Sequence, residues 1–464
     1  MSDNDCTPLS LFERFFDDVV INQIVTETLR YASQKSSHDF KITPADLKVF
    51  LGILIISGYV VLPGRRCYWS VDDDMRNIAV SNAMSRNDFE KILRFLHVAD
   101  NNNLDSSDKF AKITPLFKLL NERYLRYFQP AQNISVDESM VPYYGRHSAK
   151  QFIRGKPIRF GYKVWCCCTS TGYLIRFEPY QGAQVAVAED PYKSLGVGGA
   201  VVMRLTLALP RAPYIIHTDN YFSTIKLAVT LKEKGMGLVG TVRSNRIEKC
   251  PIPSLDKTER GAVEYRKDRI SGVILIRWND NNIVNVVSSA VGVYPMNKAS
   301  RWSKVQRKRI SVDQPNAIAT YNRGRGGVDL MDRNISSYRI SIRSKKWWWP
   351  LFRYSLDTSI QNAWLLYRQS AANNRDPLTQ LQFRRRLANL LLSKYSTESL
   401  LARRQSGPRR RQKVADEIRT DGLHHYQGSL PSMRRCAQCK KTVTKQCLKC
   451  FVPLHDKFVV AFHT

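Results

Sequence analysis

The stretch from Asn133 to Tyr180 holds three runs that read as strands: NISVDES (133–139), RFGYKVWCCC (159–168) and YLIRFEPY (173–180). β-branched and aromatic residues crowd the last two. The last two flank Thr169-Ser170-Thr171-Gly172, a cluster of turn residues that predicts a hairpin. Farther on, a stretch ending VVMRLTLAL leads to a short strand, PYIIHTDN (213–220), and a helix, STIKLAVTLKEKG (223–235), closed by Gly235. The strand LVGTV (238–242) follows. A hairpin succeeded by strand, helix and strand predicts an α/β domain over residues 131–244.

Outward from that domain the pattern changes twice. Residues 245–310 carry VEYRKD, VILIRW and IVNVVSS without a crossover helix, which predicts an all-β insertion. The α/β domain resumes over 311–370 and closes with a helix from Trp347 to Gln369. Pro350 sits in its first turn, and Phe352, Leu356, Ile360, Ala363 and Tyr367 form one stripe that would cover the sheet. Before the domain, residues 21–130 are helical. Thr43 caps ITPADLKVFLGIL with Pro44 in the first turn, and Ser85 caps SRNDFEKILRFLHV with Phe89, Ile92, Leu93 and Leu96 at helical spacing. Residues 1–20 are expected as a tail. A second helical part spans 371–402, with a helix from Leu378 to Leu401. A basic linker follows over 403–430, and a cysteine-rich segment over 431–464.

The chain has 464 residues and is 43% hydrophobic, enough to bury several cores, which sets aside a disordered tail protein and a disulfide miniprotein. Its net charge of +32 is unevenly placed: residues 1–130 are nearly neutral, and the excess lies beyond them. That excess predicts a polyanionic partner, nucleic acid first, bound with strong salt dependence. The longest apolar run, Val49 to Leu62, is 14 residues long and broken by glycines, too short to cross a bilayer, so no membrane association is expected. No secretory signal is expected, and the cysteines are expected in a reducing compartment.

Three carboxylates stand where a metal-dependent phosphoryl-transfer site needs them: Asp137 in the first strand, Asp219 at the end of IIHTD, and Asp329 after Gly326-Gly327 at a helix start. Strand ends and a helix N-terminus can meet in one pocket and present oxygen ligands to Mg²⁺ or Mn²⁺. Asp332, one turn later, is a fourth carboxylate or an outer partner. Taken singly, each is equally a turn former or a helix-start residue.

A second constellation is Cys436-x2-Cys439 and Cys447-x2-Cys450, with His455 and His463 after and His425 before, the spacing of zinc ligands. A third is basic and aromatic. Arg339, Arg343, Lys345 and Lys346 run into Trp347-Trp348-Trp349, and Arg154, Lys156 and Arg159 lie near the first aspartate, as a DNA channel would require. Core packing is the competing reading for the tryptophans. Cys166, Cys167 and Cys168 read as buried small hydrophobes. The run Arg403 to Lys413 reads as a nuclear localisation signal or a phosphate-binding linker.

The strings ISVDESMVPYYGRHSAKQFIRGKPIRFGYKVW, IIHTDNYFST with LVGTVRSNR, and NRGRGGVDLMDRNISSYRISIRSKKWWWPLFRYSLDTSIQNAW resemble the piggyBac transposase family, over nearly the whole chain. The resemblance implies an RNase H-like core and a catalytic set falling on Asp137, Asp219, Asp329 and Asp332. It also implies hydrolysis at element ends, hairpin formation and insertion at TTAA targets, with terminal inverted repeats of double-stranded DNA as substrate. A DNA-binding and dimerisation domain built from the front helices and the helix near 378–401, a homodimer, a nuclear location and a cross-brace finger for two zinc ions are implied likewise. In the finger the sequence departs from the family: His455 replaces a cysteine and Phe458 stands at a ligand position, so the second zinc is left with three ligands or borrows Asp456. The alternative within the same lineage is a domesticated, inactive nuclear protein that binds DNA or chromatin; a plain nuclease is a third.

Overall fold

The computed structural model describes residues 6–182, 190–247, 250–253, 255, 260–370, 376–396, 419–420, 422 and 424–464. The basic run Arg403 to Lys413 lies outside the described residues. The chain divides into a large unit, residues 1–70 and 74–401, and a small unit, residues 71–73 and 402–464.

The large unit opens with helices α1 (Pro8–Glu13), α2 (Asp18–Gln34), α3 (Pro44–Ile56), α4 (Ile78–Ala83), α5 (Arg86–Phe95) and α6 (Thr114–Arg126). The expectation of a tail over residues 1–20 is corrected here. Thr7 and Ser10 cap α1 reciprocally, and Phe12, Phe15 and Phe16 are buried in the core. The same device starts α3, where Thr43 and Asp46 exchange hydrogen bonds around Pro44. Ser85 caps α5.

Strands β1 (Asn133–Pro142), β2 (Lys150–Phe152), β3 (Phe160–Thr169) and β4 (Leu174–Pro179) come next, then α7 (Gly196–Thr206), β5 (Ile215–Thr218), α8 (Ile225–Glu233) and β6 (Gly237–Thr241). β3 and β4 form the expected hairpin, with Gly172 at φ +91° in its turn. β1 pairs antiparallel with β3 and parallel with β5, and β5 pairs parallel with β6. The order β4-β3-β1-β5-β6 is the mixed sheet of an RNase H-like core. Cys166, Cys167 and Cys168 are fully buried in it.

The strands of the expected insertion are β7 (Val263–Lys267), β8 (Ile274–Asn279), β9 (Ile283–Ser288), β10 (Asn297–Ser303) and β11 (Lys308–Gln314). They do not form one separate β-body. β9 hydrogen-bonds to β6, so β7, β8 and β9 extend the central sheet, while β10 and β11 form their own hairpin, which runs past residue 310. β6 carries free N–H and C=O groups on its outer side, and β9 satisfies them.

α9 (Asn316–Gly324), α10 (Gly327–Ser337), α11 (Trp349–Gln369) and α12 (Gln380–Tyr395) complete the large unit. α11 is buried on every side: Leu351, Leu356, Asp357, Gln361, Asn362 and Leu365 are all enclosed. The single sheet-facing stripe read from the sequence is therefore too narrow. Among its buried polar residues, Asn362 pairs with both the N–H and the C=O of Leu174. α12 packs on α3, where the Cβ of Leu391 would sit 3.1 Å from a Cβ placed on Gly52. The front helices and α12 thus share one core.

The small unit contains β12 (Gln427–Arg435), β13 (Thr442–Cys447), which pair antiparallel, and a short helix α13 (Val459–His463). Its apolar cluster is small and built around Cys436, Cys447, Cys450, Val443, Val452 and Leu454. No helix among the described residues is long and apolar enough to cross a membrane.

Candidate active site and metal centres

The acidic residues are brought together by register. Val136 of β1 pairs with Thr218 of β5, the last registered pair of these parallel strands, so Asp137 and Asp219 follow side by side. Neighbouring strands are about 4.8 Å apart. Asp219 ends its strand by accepting a hydrogen bond from the Tyr221 N–H at 2.8 Å, while its carbonyl accepts from Ser223, which starts the turn into α8.

α10 delivers the other two. It lies along the face of β1 that carries Ser135, Asp137 and Ser139, alternate residues of one strand. Just before its start Ser135 Oγ donates to the Arg325 carbonyl at 2.7 Å, and about two turns on Ser139 Oγ donates to Asp332 Oδ1 at 2.6 Å. Asp329 lies between these two ties and is exposed. Two glycines permit the approach. A Cβ on Gly324 would stand 2.2 Å from His217 Nε2 on β5, and one on Gly327 would stand 2.2 Å from the Thr169 carbonyl at the end of β3. His217 itself is buried, holds Asn133 Oδ1 at 2.9 Å, and burial lowers its pKa to about 4, so it is neutral.

Lys156 ties the cluster electrostatically. Its Nζ is 3.1 Å from Glu138 Oε1, and its charge works against the upward shifts of Asp137, Asp219 and Asp332. Burial, then the charges of Glu138 and Asp219, push Asp137 up to about 8. Burial likewise raises Asp219, and pushes Asp332 up to about 7 against the hydrogen bond from Ser139. Burial and neighbouring carboxylates thus act in the same sense on Asp137, Asp219 and Asp332. Glu138 works in the opposite sense: despite burial it is held below the usual range by Lys163 and Lys156. Lys163 Nζ lies 3.7 Å from Glu138 and 3.9 Å from the Trp165 ring centroid. Sequence reasoning missed Ser139, Glu138 and Lys163. The signal for Ser139 was its position two residues after Asp137 on a strand.

The basic residues separate into groups. Arg154, Lys156 and Arg159 sit at the tip joining β2 to β3, with Arg154 and Arg159 exposed beside Phe152 and Phe160, whose rings are 4.8 Å apart. Arg343 and Lys345 are exposed, and Arg339 is half-buried near Asp332. Lys346 corrects the sequence reading. It turns inward and donates to the carbonyls of Leu93 and Leu96 at 2.9 and 2.6 Å, the open C-terminal end of α5. Burial lowers its pKa to about 7. Trp348 and Trp349 are core residues, and Trp349 donates to the Ile342 carbonyl. Trp347 is half-buried, 4.2 Å from the His147 ring.

In the small unit the side chains able to ligate a metal fall into two interleaved groups, His425 with Cys447, Cys450 and His463, and Cys436 with Cys439 and His455. Nδ1 of His425 is 3.5 Å from the Sγ of both Cys447 and Cys450, and Nδ1 of His455 is 3.4 Å from Cys439 Sγ. Zinc bonds of about 2.3 Å to sulfur and 2.0–2.1 Å to nitrogen, at a tetrahedral angle, put S and N about 3.5 Å apart. Both knuckles turn the same way: Lys440 and Phe451, each just past its second cysteine, adopt φ +62° and +52°, a conformation that non-glycine residues rarely take. Nδ1 of His463 is bonded to the Val459 carbonyl at 2.7 Å, the kind of outer contact that orients a metal-binding imidazole. Burial opposes ionisation of Cys436, but hydrogen bonds from the backbone N–H groups of Cys439 and His455 outweigh it and bring the thiol down to about 6. Asp456 stands outside both groups, its carboxylate paired with Lys445 at 2.7 Å.

The family model described as Transposase IS4 matches residues 7–364. The human PiggyBac transposable element-derived protein 3 is 42% identical over 465 residues, covering 99% of this chain and 76% of that protein. The human PiggyBac transposable element-derived protein 2 is 38% identical over 469 residues, covering 100% of this chain and 77% of the relative. A piggyBac transposase solved by cryo-EM as a synaptic complex with hairpin DNA shares the fold at a TM-score of 0.71, with 22% identity and coverage of 96% and 98% of the two chains. The family model over residues 7–364 and the likeness to these relatives over essentially the whole of this chain place the chain in the piggyBac transposase family.

Proposed function

We propose that the chain is a metal-dependent DNA transposase that cleaves and rejoins phosphodiesters in the cut-and-paste manner, with terminal inverted repeats as substrate and TTAA as target. Asp137, Asp219 and Asp329 would hold Mg²⁺ or Mn²⁺. When bound, the cation activates the attacking oxygen and neutralises the leaving one. Asp332 positions: anchored on Ser139, it fixes the rotation of α10 and so the direction of Asp329. Lys156 supplies the positive charge that offsets the acidic cluster, and substrate phosphates lie along Arg154 and Arg159 on one side and Arg339, Arg343 and Lys345 on the other. The observation that carries this reading is the parallel register of β1 and β5, Val136 opposite Thr218, together with the hydrogen bond from Ser139 to Asp332 on the same face of β1.

The finger would hold zinc on His425, Cys447, Cys450 and His463, and on Cys436, Cys439 and His455. Family likeness supports a homodimer in the nucleus. The test is cleavage of a duplex carrying a terminal inverted repeat flanked by TTAA, by the purified full chain with Mg²⁺ or Mn²⁺. Cutting that disappears in Asp219→Ala supports the reading. Binding that survives this change, with no cutting by the native chain under either cation, refutes it and marks a DNA-binding descendant instead.

A further inference from the structure

The two clusters of the finger are unequal in a way that has chemical consequences. The group of His425, Cys447, Cys450 and His463 offers four donors, a closed tetrahedral set. The group of Cys436, Cys439 and His455 offers three, and no further His, Cys, Asp or Glu among the described residues joins it. All ten cysteines and all eight histidines are described, so no other thiol or imidazole of the same chain completes it.

The reason is local. In both Cys-x2-Cys knuckles the chain folds back over three residues, and in Cys447-Cys450 the N–H of Cys450 points at Cys447 Sγ at 3.4 Å. His455 begins a segment of the same spacing: the N–H of Phe458 returns to the His455 carbonyl at 2.9 Å, and Phe458 stands three residues after His455, as the second cysteine does in each knuckle. Its side chain is a hydrocarbon ring without a donor atom, half-buried, as Cys439 is, against the apolar cluster that contains Cys436. Asp456 faces Lys445 instead. A three-donor set with an unfilled fourth position is the arrangement by which proteins leave zinc open to a water or an incoming ligand.

We infer that Cys436, Cys439 and His455 hold a zinc ion whose fourth position accepts an exchangeable sulfur or nitrogen donor from outside the chain, a thiol or an imidazole. This zinc is therefore the labile one of the pair. The inference rests on the zinc reading above.

Native mass spectrometry of the full chain counts the metal, with two zinc ions per chain expected. Transfer to a chromophoric chelator then proceeds in two phases of one equivalent each. Phe458→Cys slows the fast phase by at least about tenfold, the lower end of what even an outer partner of a metal ligand contributes. Phe458→Ala, which removes the ring without adding a donor, leaves it fast. In the cobalt-substituted chain, imidazole or 2-mercaptoethanol shifts the absorption of one of the two ions. A chain with no zinc removes the zinc reading itself. One zinc only, release of both ions in a single phase, or cobalt bands indifferent to both added donors overturns the inference while leaving the four-donor site standing.

Discussion

Replacing Gly327 by alanine tests how closely the site depends on the seating of α10. A Cβ there would lie 2.2 Å from the Thr169 carbonyl oxygen and 3.0 Å from Ser135 Cβ, where ordinary contact begins at 3.4 Å. The carbonyl cannot yield cheaply, because it ends β3 and accepts the Gly172 N–H that closes the hairpin. α10 must therefore retreat by about 1 Å, and Asp329, two residues on in the same turn, moves with it. Overpacking of this kind costs about 1–3 kcal/mol, within what a large core survives. A displacement of about 1 Å at a reacting centre costs about 100-fold in rate. The expected result is a folded chain, judged by circular dichroism, with cleavage down about 100-fold and Mn²⁺ binding weakened by calorimetry. Gly326→Ala is the control: the neighbouring position has nothing within 4 Å of the added methyl and a negative φ, and it should behave as the native chain. Equal effects of the two substitutions, or none from Gly327→Ala, would refute the claim that this contact aims Asp329.

Arg384 and Asp357 form an ion pair at 2.8 Å with side chains 0% and 2% exposed, so Arg384→Leu strands a buried carboxylate and should cost about 3–5 kcal/mol in urea unfolding. Adding Asp357→Leu should recover most of it, and additive losses would sink the pairing argument. Asp332, raised to about 7, keeps its proton in the folded chain while the unfolded chain has released it from about 4 upward. Stability therefore falls as pH rises through that window, so Asp332→Asn should gain on the native chain between pH 5 and pH 8 with no divalent ion added; a constant difference refutes it. Arg343→Ala should reduce the slope of log affinity for DNA against log salt by about 0.9, one phosphate contact, whereas Lys346→Met should leave that slope unchanged. The reverse ranking would restore Lys346 to the DNA surface.

Local signals carried most of what the sequence yielded. The hairpin turn at Thr169 to Gly172, the caps at Thr43 and Ser85, and the Gly235 stop are decided by a few adjacent residues, and all appear in the structure. Features decided by distant partners were hidden. The pairing of Val239 with Ser288 joins strands across about fifty residues, and nothing in β9 itself announces that it will sit against β6. Lys346 sits in a run of cations that looks solvated, and the carbonyls it meets lie some 250 residues away. The zinc spacing was plain, but which histidine joins which knuckle was not, because the two groups interleave: His425 bypasses the nearer Cys436 knuckle for Cys447 and Cys450. Phe15 is buried against Tyr124 and Tyr173, more than a hundred residues away, so nothing within residues 1–20 announces its burial.

The acidic site owes its assembly to the alternation of one strand. Ser135, Asp137 and Ser139 share a face of β1, the first and last gripping the start and second turn of α10, so a single strand fixes both the helix and the carboxylate that faces it. Glu138, between them on the other face, is held with Lys163 and Lys156 rather than left to repel Asp137 unopposed. A one-residue slip of β1 against β5 would exchange these faces, bringing Glu138 beside α10 and burying Asp137 against Trp165. The hydrogen bonds from Ser135 and Ser139 oppose that slip along with the apolar register. These two serines consequently matter for where the charges stand as well as for packing, and Ser139→Ala should disturb the site more than its loss of one hydroxyl disturbs the fold.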